Sequence, residues 1–285
     1  MKEKNIKKQN RNYSLRGVKM VSHQLLTHDT ILELLPHINT EQNLLFYSYL
    51  TQRKDKAQYV GQFTNSQLTA VLAYFSELSF PAFSFFRVED RDIFFPELIA
   101  FTRETIQLDE SAVCGTILCQ RDLELFQSFG LIKGIPQRFL TMKHQDESKL
   151  LESNIAKRIN ENDYSKVIDF LHSGEMRFFT RSELVDYPFL GIKESEDFIA
   201  VGGYHFYDSQ LVELGNIVTR LDYRGRGLAK RLTSELTHLG KKLSPDVYLG
   251  VLANNLPAVR LYEGLGYQTT MELSIVNFTL STTKI

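Results

Sequence analysis

One stretch in the last third of the chain constrains the fold most, because it joins a buried strand, a glycine turn and a helix. Residues 211–218 form an apolar run typical of a buried strand. From residue 228 the apolar spacing becomes helical, and one stripe contains Leu228, Leu232, Leu236 and Leu239. Gly225 and Gly227 lie where the strand gives way to the helix. The stretch therefore predicts a strand–turn–helix unit.

The turn in this unit has the features of an anion-binding site. Glycine lets backbone N–H groups approach an anion closely, and a helix N-terminus offers unpaired N–H groups and the positive end of its dipole. The basic side chains around the turn are Arg224, Arg226, Lys230 and Arg231. This pattern favours a seat for a diphosphate-bearing cofactor. The same pattern also fits a simple strand-to-helix connection, in which the glycines allow the sharp turn and the arginines keep the surface soluble.

Two common nucleotide motifs do not match the turn. The dinucleotide fingerprint needs a third glycine, and Gly227 is followed instead by Leu228, Ala229 and Lys230. A P-loop needs Gly-Lys followed by Ser or Thr, which this turn lacks. Nicotinamide chemistry and nucleotide hydrolysis are therefore disfavoured.

A second informative stretch follows about thirty residues later. Residues 247–251 read as a short buried strand, and Asn255 with Pro257 is typical of a helix start. The helical stripe consists of Ala258, Leu261, Tyr262 and Leu265, and it ends at Gly264 and Gly266. A last strand is predicted from Tyr267 to about Phe278. Taken alone, Tyr262 on such a stripe indicates core packing.

Together the two stretches resemble the GNAT superfamily of acyl-CoA-dependent N-acyltransferases. The resemblance extends over residues 154–285 and rests on Arg224-x-x-Gly227-x-Ala229 followed by Asn255-x-x-Ala258-x-x-Leu261-Tyr262-x-x-Leu265-Gly266-Tyr267. It implies that acetyl-CoA is the acyl donor. It implies a pyrophosphate seat at Arg224, Gly225, Arg226, Gly227, Leu228, Ala229 and Lys230. It also implies pantetheine and acyl contacts from the backbone of Ile217, Val218 and Thr219, a cofactor contact from Asn255, and protonation of the departing thiolate by Tyr262.

Acyl transfer to an amine also needs a group that takes a proton. A lysine-like amine has a pKa near 10.4, so its deprotonation at pH 7 costs roughly 4–5 kcal/mol. By the same resemblance Glu213 is the candidate base, and strand alternation is expected to place it on one face with Gly215, Ile217 and Thr219. Its pKa would have to be raised, or a water would have to relay the proton. The alternative is a strand-edge charge paired with solvent or an arginine.

Other nucleophiles and bases are less suited to the reaction. Cys114 and Cys119 lie far in sequence from both motifs, so direct attack in a ternary complex is predicted instead of an acyl-enzyme. His205 lies on a predicted strand at 199–207 and could reach the site, but a structural role is the favoured interpretation. His238 is expected at the surface.

The chain is long enough for two domains, and charged residues around 144–149 suggest the boundary. We expect a basic tail at 1–20, a degenerate GNAT-like domain at 21–148 and a catalytic GNAT domain at 149–285. The clearest repeat pairs 124–131 with 260–267, with Phe126 in the place of Tyr262. No glycine occurs between Gly61 and Gly115, where a second phosphate turn would lie. The expected fold class is α/β (α+β), with a mixed, mostly antiparallel sheet flanked by helices, duplicated in two halves as in tandem GNAT proteins.

Composition limits the remaining options. A net charge of −1 gives no support for nucleic-acid or acidic-membrane binding, and no apolar run reaches membrane length. No His, Cys and carboxylate cluster has metal-ligand spacing, so no metal is predicted. Two unpaired cysteines favour a cytoplasmic protein. Whether the chain forms a homodimer, and whether Met1 or Met20 starts it, stay open.

The sequence therefore predicts an N-acetyltransferase that transfers acetyl from acetyl-CoA to a primary amine of a small molecule or amino acid. The alternatives are a non-catalytic acyl-CoA-binding regulator and a protein or peptide N-acetyltransferase. Acceptor contacts are expected in 163–186 and 268–272. Within them, Arg177, Phe178, Phe179 and Arg181 could bind an acceptor carboxylate, although a solvated loop is the favoured interpretation.

Overall fold

The computed structural model describes residues 20–89, 93–176 and 178–281, which form two compact units. Unit 1 contains the described residues up to 76, residues 81–134 and the chain from residue 276. Unit 2 contains residues 77–80 and 135–275, so the expected boundary at 148/149 falls inside it. The predicted tail, up to residue 19, and Arg177 lie outside the described residues.

Unit 1 is a sheet with helices packed against it. Its elements are β1 (Val21–Leu26), α1 (His28–Leu32), α2 (Leu44–Leu50), β2 (Ala57–Thr64), β3 (Gln67–Phe75), β4 (Ala82–Arg87), α3 (Phe95–Ile106), β5 (Val113–Leu118) and α4 (Gln120–Ser128). Strands β1 to β4 pair antiparallel in sequence order, and β4 pairs parallel with β5. The sequence did not predict β1, α1 or α2.

The core of unit 1 is aromatic. Phe126 is fully buried, and its ring lies 4.7 Å from that of Phe95 and 5.2 Å from that of Phe278. Truncating one such ring typically costs 3–5 kcal/mol, so these contacts contribute strongly to the stability of unit 1. Phe126 therefore serves packing here, and it has no hydroxyl with which to serve chemistry.

Unit 2 contains the two informative stretches. Its elements are β6 (Ile132–His144, from residue 135), β7 (Lys157–Arg158), α5 (Tyr164–Ser173), α6 (Arg181–Asp186), β8 (Phe189–Glu194), β9 (Asp197–Tyr207), β10 (Leu211–Thr219), α7 (Leu228–Leu243), β11 (Asp246–Leu252), α8 (Leu256–Glu263) and β12 (Tyr267–Thr279, up to residue 275). The strands are ordered β12-β6-β11-β10-β9-β8-β7. Strands β10 and β11, which α7 joins, pair parallel, whereas the β6–β11, β9–β10, β8–β9 and β7–β8 pairs are antiparallel.

Two apolar clusters cover the two faces of this sheet. On the face toward α7 and α8, here called the α7 face, Leu214 and Leu249 pack with Leu232, Leu236 and Tyr262. On the face toward α5 and α6, here called the α6 face, the packed residues are Ile159, Val167, Leu171, Leu184, Phe189, Phe198, Val201 and Val218. The central strands β8 to β11 of unit 2 are therefore mostly buried on both sides, as their continuous apolar stretches predict.

Two local predictions are wrong. The strand predicted at 154–159 is reduced to β7, because the backbone N–H groups of Ile155 and Ala156 donate to the carboxylate of Glu235 instead of to a strand partner. The stripe predicted for α7 fails at Leu239, which is 38% exposed. Small residues of α7 are buried in its place, namely Thr233, Ser234, Thr237 and Gly240, because they allow the helix to approach the sheet closely.

Candidate functional site

The parallel strands β10 and β11 separate at their carboxyl ends. Their register pairs Leu211 with Asp246 and continues to Leu214 with Leu249, where the pairing stops. Residues 215–219 of β10 continue as strand and pair only with β9 on the other side. The backbone groups of this segment that face β11 are therefore available to an extended ligand, because a strand edge binds main-chain-like partners.

A bulge lies in the same segment of β10. The pairing with β9 shifts register between Gly215 and Val218, and Asn216 has a φ of 55°, a left-handed conformation that asparagine tolerates better than most residues. The bulge turns Ile217 to the α7 face, whereas Val218 packs on the α6 face. The prediction that Glu213, Gly215, Ile217 and Thr219 share a face is therefore wrong, because it assumed unbroken alternation.

The glycine turn follows directly and leads into α7. Gly225 and Gly227 have φ values of 78° and 75°, and a Cβ atom at either position would meet no atom within 4 Å. Gly227 is the N-cap of α7, so the N–H groups of the next residues point out of the helix end. The turn is therefore an open cradle of backbone donors at the positive end of a helix dipole.

The arginines of the turn hold its shape. The side chain of Arg224 donates to the carbonyl of Thr219, and that of Arg226 donates to the carbonyl of Asp222. The guanidinium groups of Arg220 and Arg226 lie 4.2 and 4.4 Å from the ring centroid of Tyr223. The Tyr223 hydroxyl donates to Glu194. Because these contacts are internal, Arg224 and Arg226 position the backbone of the turn while their exposed heads still add positive charge.

A cavity of about 390 Å³ lies beside the end of β10. It is lined by Phe170, Ser173, Gly174, Glu175, Val218, Thr219, Arg220, Leu221 and Arg224. The lining joins the end of α5 to the end of β10 and the start of the turn. A volume of this size is at the lower end of the range for small-molecule pockets.

The helix α8 contributes Asn255 and Tyr262. Asn255 caps the helix by accepting a hydrogen bond from the N–H of Ala258, as its position predicts. Tyr262 lies on the α7 face and is 9% exposed, and burial raises the pKa of its phenol to about 12. Its hydroxyl is therefore protonated at neutral pH and is able to donate a proton.

The candidate base Glu213 lies on β10 beside Phe206 of β9 and Tyr248 of β11. Glu213 is half-buried, and it lies one residue before Leu214, the last residue of β10 that pairs with β11. Val212 and Leu214 face α7, so Glu213 faces the α6 side, together with Gly215. The structure therefore places Glu213 and Gly215 on one face, as predicted.

Sequence reasoning missed a polar cluster on this α6 face. Oε2 of Glu183, on α6, accepts hydrogen bonds from Nδ2 of Asn216 at 2.9 Å and from Nδ1 of His205 at 3.1 Å. Glu183 is only 2% exposed, although it lies on a six-residue helix that looks solvated in the sequence. Only the asparagine in an apolar strand hinted at this cluster, because a buried amide needs a polar partner.

The predicted acceptor loop is partly core. Phe179 packs on the α6 face, and its ring lies 6.1 Å from that of Phe189. Phe178 is 45% exposed, and its ring lies 5.9 Å from that of Phe80. Arg181 begins α6 and is exposed. Phe179 is therefore part of the core of unit 2, whereas Phe178 is at the surface.

Residues 20–89, 93–176 and 178–281 were the part of the chain in which other site types could be described. This part of the chain holds no group of three or more His, Cys, Asp or Glu that could bind a metal ion. None of its helices is both long and apolar enough to cross a membrane. Cys114 is buried in unit 1, and burial raises the pKa of its thiol to about 12.

One family model matches a large part of unit 2. Residues 156–267 match the family model for the Acetyltransferase (GNAT) family. No match to a curated protein sequence was found.

Solved structures share the fold over most of the chain. A protein assigned to the GNAT acetyltransferases of Novosphingobium aromaticivorans is 16% identical, with a TM-score of 0.64 over 86% of this chain and 100% of its own. A Drosophila protein is 15% identical, with a TM-score of 0.68 over 90% and 98%. A tandem GNAT protein from the clavulanic acid biosynthesis pathway is 8% identical, with a TM-score of 0.64 over 93% and 100%. The predicted fold class and the resemblance to GNAT proteins are confirmed.

Proposed function

Because residues 156–267 form a domain of the GNAT acetyltransferase family, we propose that the chain transfers acetyl from acetyl-CoA to a primary amine. The proposed acceptor is a small molecule or an amino acid. One observation carries the proposal: the pairing of β10 with β11 ends at Leu214, and the Gly225–Gly227 turn follows β10 after one short 3-10 turn at Leu221–Tyr223. The free edge of β10 would bind the extended pantetheine chain of acetyl-CoA, and the glycine turn that follows would bind its pyrophosphate.

The donor would be held largely by backbone. Its pyrophosphate would lie against the turn and the first N–H groups of α7, at 224–230, where a Cβ at either glycine meets only open space. Its pantetheine amides would pair with the free edge of β10 at Ile217, Val218 and Thr219. Asn255, which caps α8, is the proposed further contact to the donor.

The reaction needs a proton donor on one side and a proton acceptor on the other. The buried hydroxyl of Tyr262 approaches from the α7 face and would protonate the departing thiolate. A thiol with a pKa near 8.5 leaves without much help, so this contribution is about tenfold rather than decisive. We propose that the amine proton is removed on the α6 face, where the carboxylate of the candidate base Glu213 lies half-buried on β10.

The cavity beside β10 is the proposed acceptor pocket. It opens against Val218 and Thr219 and is bounded by Glu175 and Arg220. A carboxylate and a guanidinium at its wall suit an amine that also carries an anionic group, such as an amino acid. The proposed catalytic domain is 149–285, and unit 1 is proposed to lack donor binding, because Phe126 stands in the place of Tyr262.

The test is a calorimetric titration of the purified chain with acetyl-CoA, followed by coenzyme A release with a panel of polyamines, amino sugars, free amino acids and peptides. Micromolar binding and turnover with a small amine are expected. Binding without turnover on any amine would favour the acyl-CoA-binding regulator, and turnover on peptides alone would favour a protein N-acetyltransferase. Absence of binding would overturn the proposal.

A further inference from the structure

His205 lies at the centre of the polar cluster on the α6 face. Nδ1 of its ring is 3.1 Å from Oε2 of Glu183, and the same oxygen accepts from Asn216 at 2.9 Å. The side chain of His205 is 20% exposed, whereas that of Glu183 is 2% exposed. The cluster therefore runs from a buried carboxylate to an imidazole that reaches solvent.

Burial of Glu183 dictates how this imidazole is protonated. A carboxylate removed from water is strongly unfavourable unless donors satisfy it, and Asn216 and His205 are two of the partners of Glu183. The ring must then keep its proton on Nδ1, because that nitrogen faces the carboxylate. The nitrogen through which a neutral His205 gains a proton is therefore Nε2.

The Nε2 edge of this ring lies against the reacting segment of β10. A Cβ atom on Gly215 would come within 2.1 Å of Cδ2 and 2.2 Å of Nε2 of His205. Gly215 is the first residue after the pairing of β10 with β11 stops. The absence of a side chain at Gly215 thus lets the imidazole lie directly over the point where the two strands separate.

Asn216 links the two parts of the arrangement. It is the residue of positive φ in the bulge, and its side chain fixes the carboxylate that orients His205. The bulge at Asn216 turns the side chain of Ile217 to the α7 face. The same residue bonds to Glu183, which orients the ring of His205. One backbone irregularity sets both the donor edge of β10 and the orientation of the ring.

We propose that His205 takes the proton from the acceptor amine, with Glu183 as its positioning residue and Glu213 as a neighbouring carboxylate on the same face. This rests on the proposed function. An imidazole, with an ordinary pKa near 6.5, is closer to neutral pH than a carboxylate with an ordinary pKa near 4.3, so it matches the task better. Two carboxylates lie on this face near His205, Glu183 from α6 and Glu213 from β10.

The proton and bond changes balance as follows. The ammonium form of the acceptor gives one proton to Nε2 of His205, and its nitrogen then forms a C–N bond with the thioester carbon. The C–S bond breaks as the nitrogen loses a second proton. Tyr262 gives its proton to the sulfur and is reprotonated by that second proton through solvent. His205 returns its proton to solvent, so one proton is released for each amide and each coenzyme A formed.

The decisive experiment compares His205→Gln and His205→Ala with the wild type, using the most active amine of the panel. A general base contributes about 10²-fold or more, so both variants should lose about 10²-fold in kcat with acetyl-CoA affinity unchanged. Added imidazole should restore turnover of His205→Ala saturably, because that substitution leaves a space over Gly215. The matched control is His144→Gln, which removes another buried ring of unit 2 and should keep its kcat.

Glu183→Gln tests the positioning role separately. Its amide oxygen still accepts from Nδ1 but carries no charge, so kcat should fall about tenfold, with KM for both substrates unchanged. Wild-type kcat in His205→Gln would overturn the proposal, and so would a loss that imidazole fails to restore in a folded His205→Ala. In either case the wild type would still turn over, whereas failure of the proposed function would show as an inactive wild type.

Discussion

Nδ1 of His205 lies 3.1 Å from Oε2 of Glu183, and the opposite edge of the same ring covers Gly215 of the neighbouring strand. A buried carboxylate on α6 is thereby connected through one side chain to the place where β10 leaves β11. This relationship ties the polar interior of the α6 face to the segment proposed to hold the donor.

Gly227→Glu should abolish acetyl-CoA binding. The carboxylate would enter the open cradle and repel the pyrophosphate, and the positive φ of 75° adds backbone strain of about 1–2 kcal/mol. Gly134→Glu is the matched control, because Gly134 has a φ of 73° and equally open surroundings but lies in unit 1. Titration calorimetry should show loss of binding in the first variant alone. Retained affinity in Gly227→Glu would refute the placement of the pyrophosphate.

Tyr262→Phe should lower kcat about tenfold and leave acetyl-CoA affinity nearly unchanged, because the hydroxyl acts only as the thiolate departs. Tyr204→Phe makes the same change at a buried hydroxyl that donates to the carbonyl of Leu236. That control should lose about 1 kcal/mol of stability and keep its kcat. Steady-state kinetics and thermal melts distinguish the two. A large loss of affinity in Tyr262→Phe would show that this residue is structural.

Gly215→Ala should reduce kcat at least tenfold, because its methyl group would lie 2.1 Å from Cδ2 of His205 and must displace the ring. Gly191→Ala is the control for crowding alone. A Cβ there would lie 2.4 Å from the ring of Phe198. Both variants should melt at lower temperature, and only Gly215→Ala should lose turnover after correction for the folded fraction. Equal turnover in the two would contradict a role for the ring over Gly215.

The stability of unit 2 should fall in mild acid because of His144. Burial lowers the pKa of this imidazole, and the charge of Lys241 lowers it further, against smaller opposing effects of Leu265, Glu147 and Asp146. The unfolded chain, with a histidine pKa near 6.5, therefore takes up a proton first as the pH falls. The contribution of His144 is fully present above pH 6.5 and is lost progressively as the pH falls from 6.5 through the lowered pKa of the folded state.

The measurement is the free energy of unfolding from pH 8 to pH 5 in the wild type and in His144→Gln. The wild type should show the steeper loss below pH 6.5, with a difference in slope of at most about 1.4 kcal/mol per pH unit, the limit for one proton. Half-buried His23, in unit 1, also has a pKa lowered by burial and remains in both proteins. Parallel curves would show that His144 does not control this loss.

The sequence by itself determined the elements that local pattern controls. The strand at 211–218, the helix starts at Leu228 and Leu256, and the last strand from Tyr267 were all predictable within a residue or two. These elements depend on interactions between residues close in sequence, namely strand alternation, the glycine turn and the asparagine cap. Such interactions can therefore be predicted from the sequence. The family match over 156–267 confirms the resemblance that these motifs carry.

Only the tertiary structure decided where those elements fail to follow their pattern. Asn216 adopts a positive φ and breaks the alternation of β10, and Glu235 captures the backbone donors that a strand at 154–159 would have used. Glu183 and His205 are 22 residues apart in sequence and meet only because α6 packs on β9. Burial of a charge is a property of what surrounds it, so no local pattern reveals it. The motifs thus locate the proposed donor site, and long-range packing selects the side chains that lie beside it.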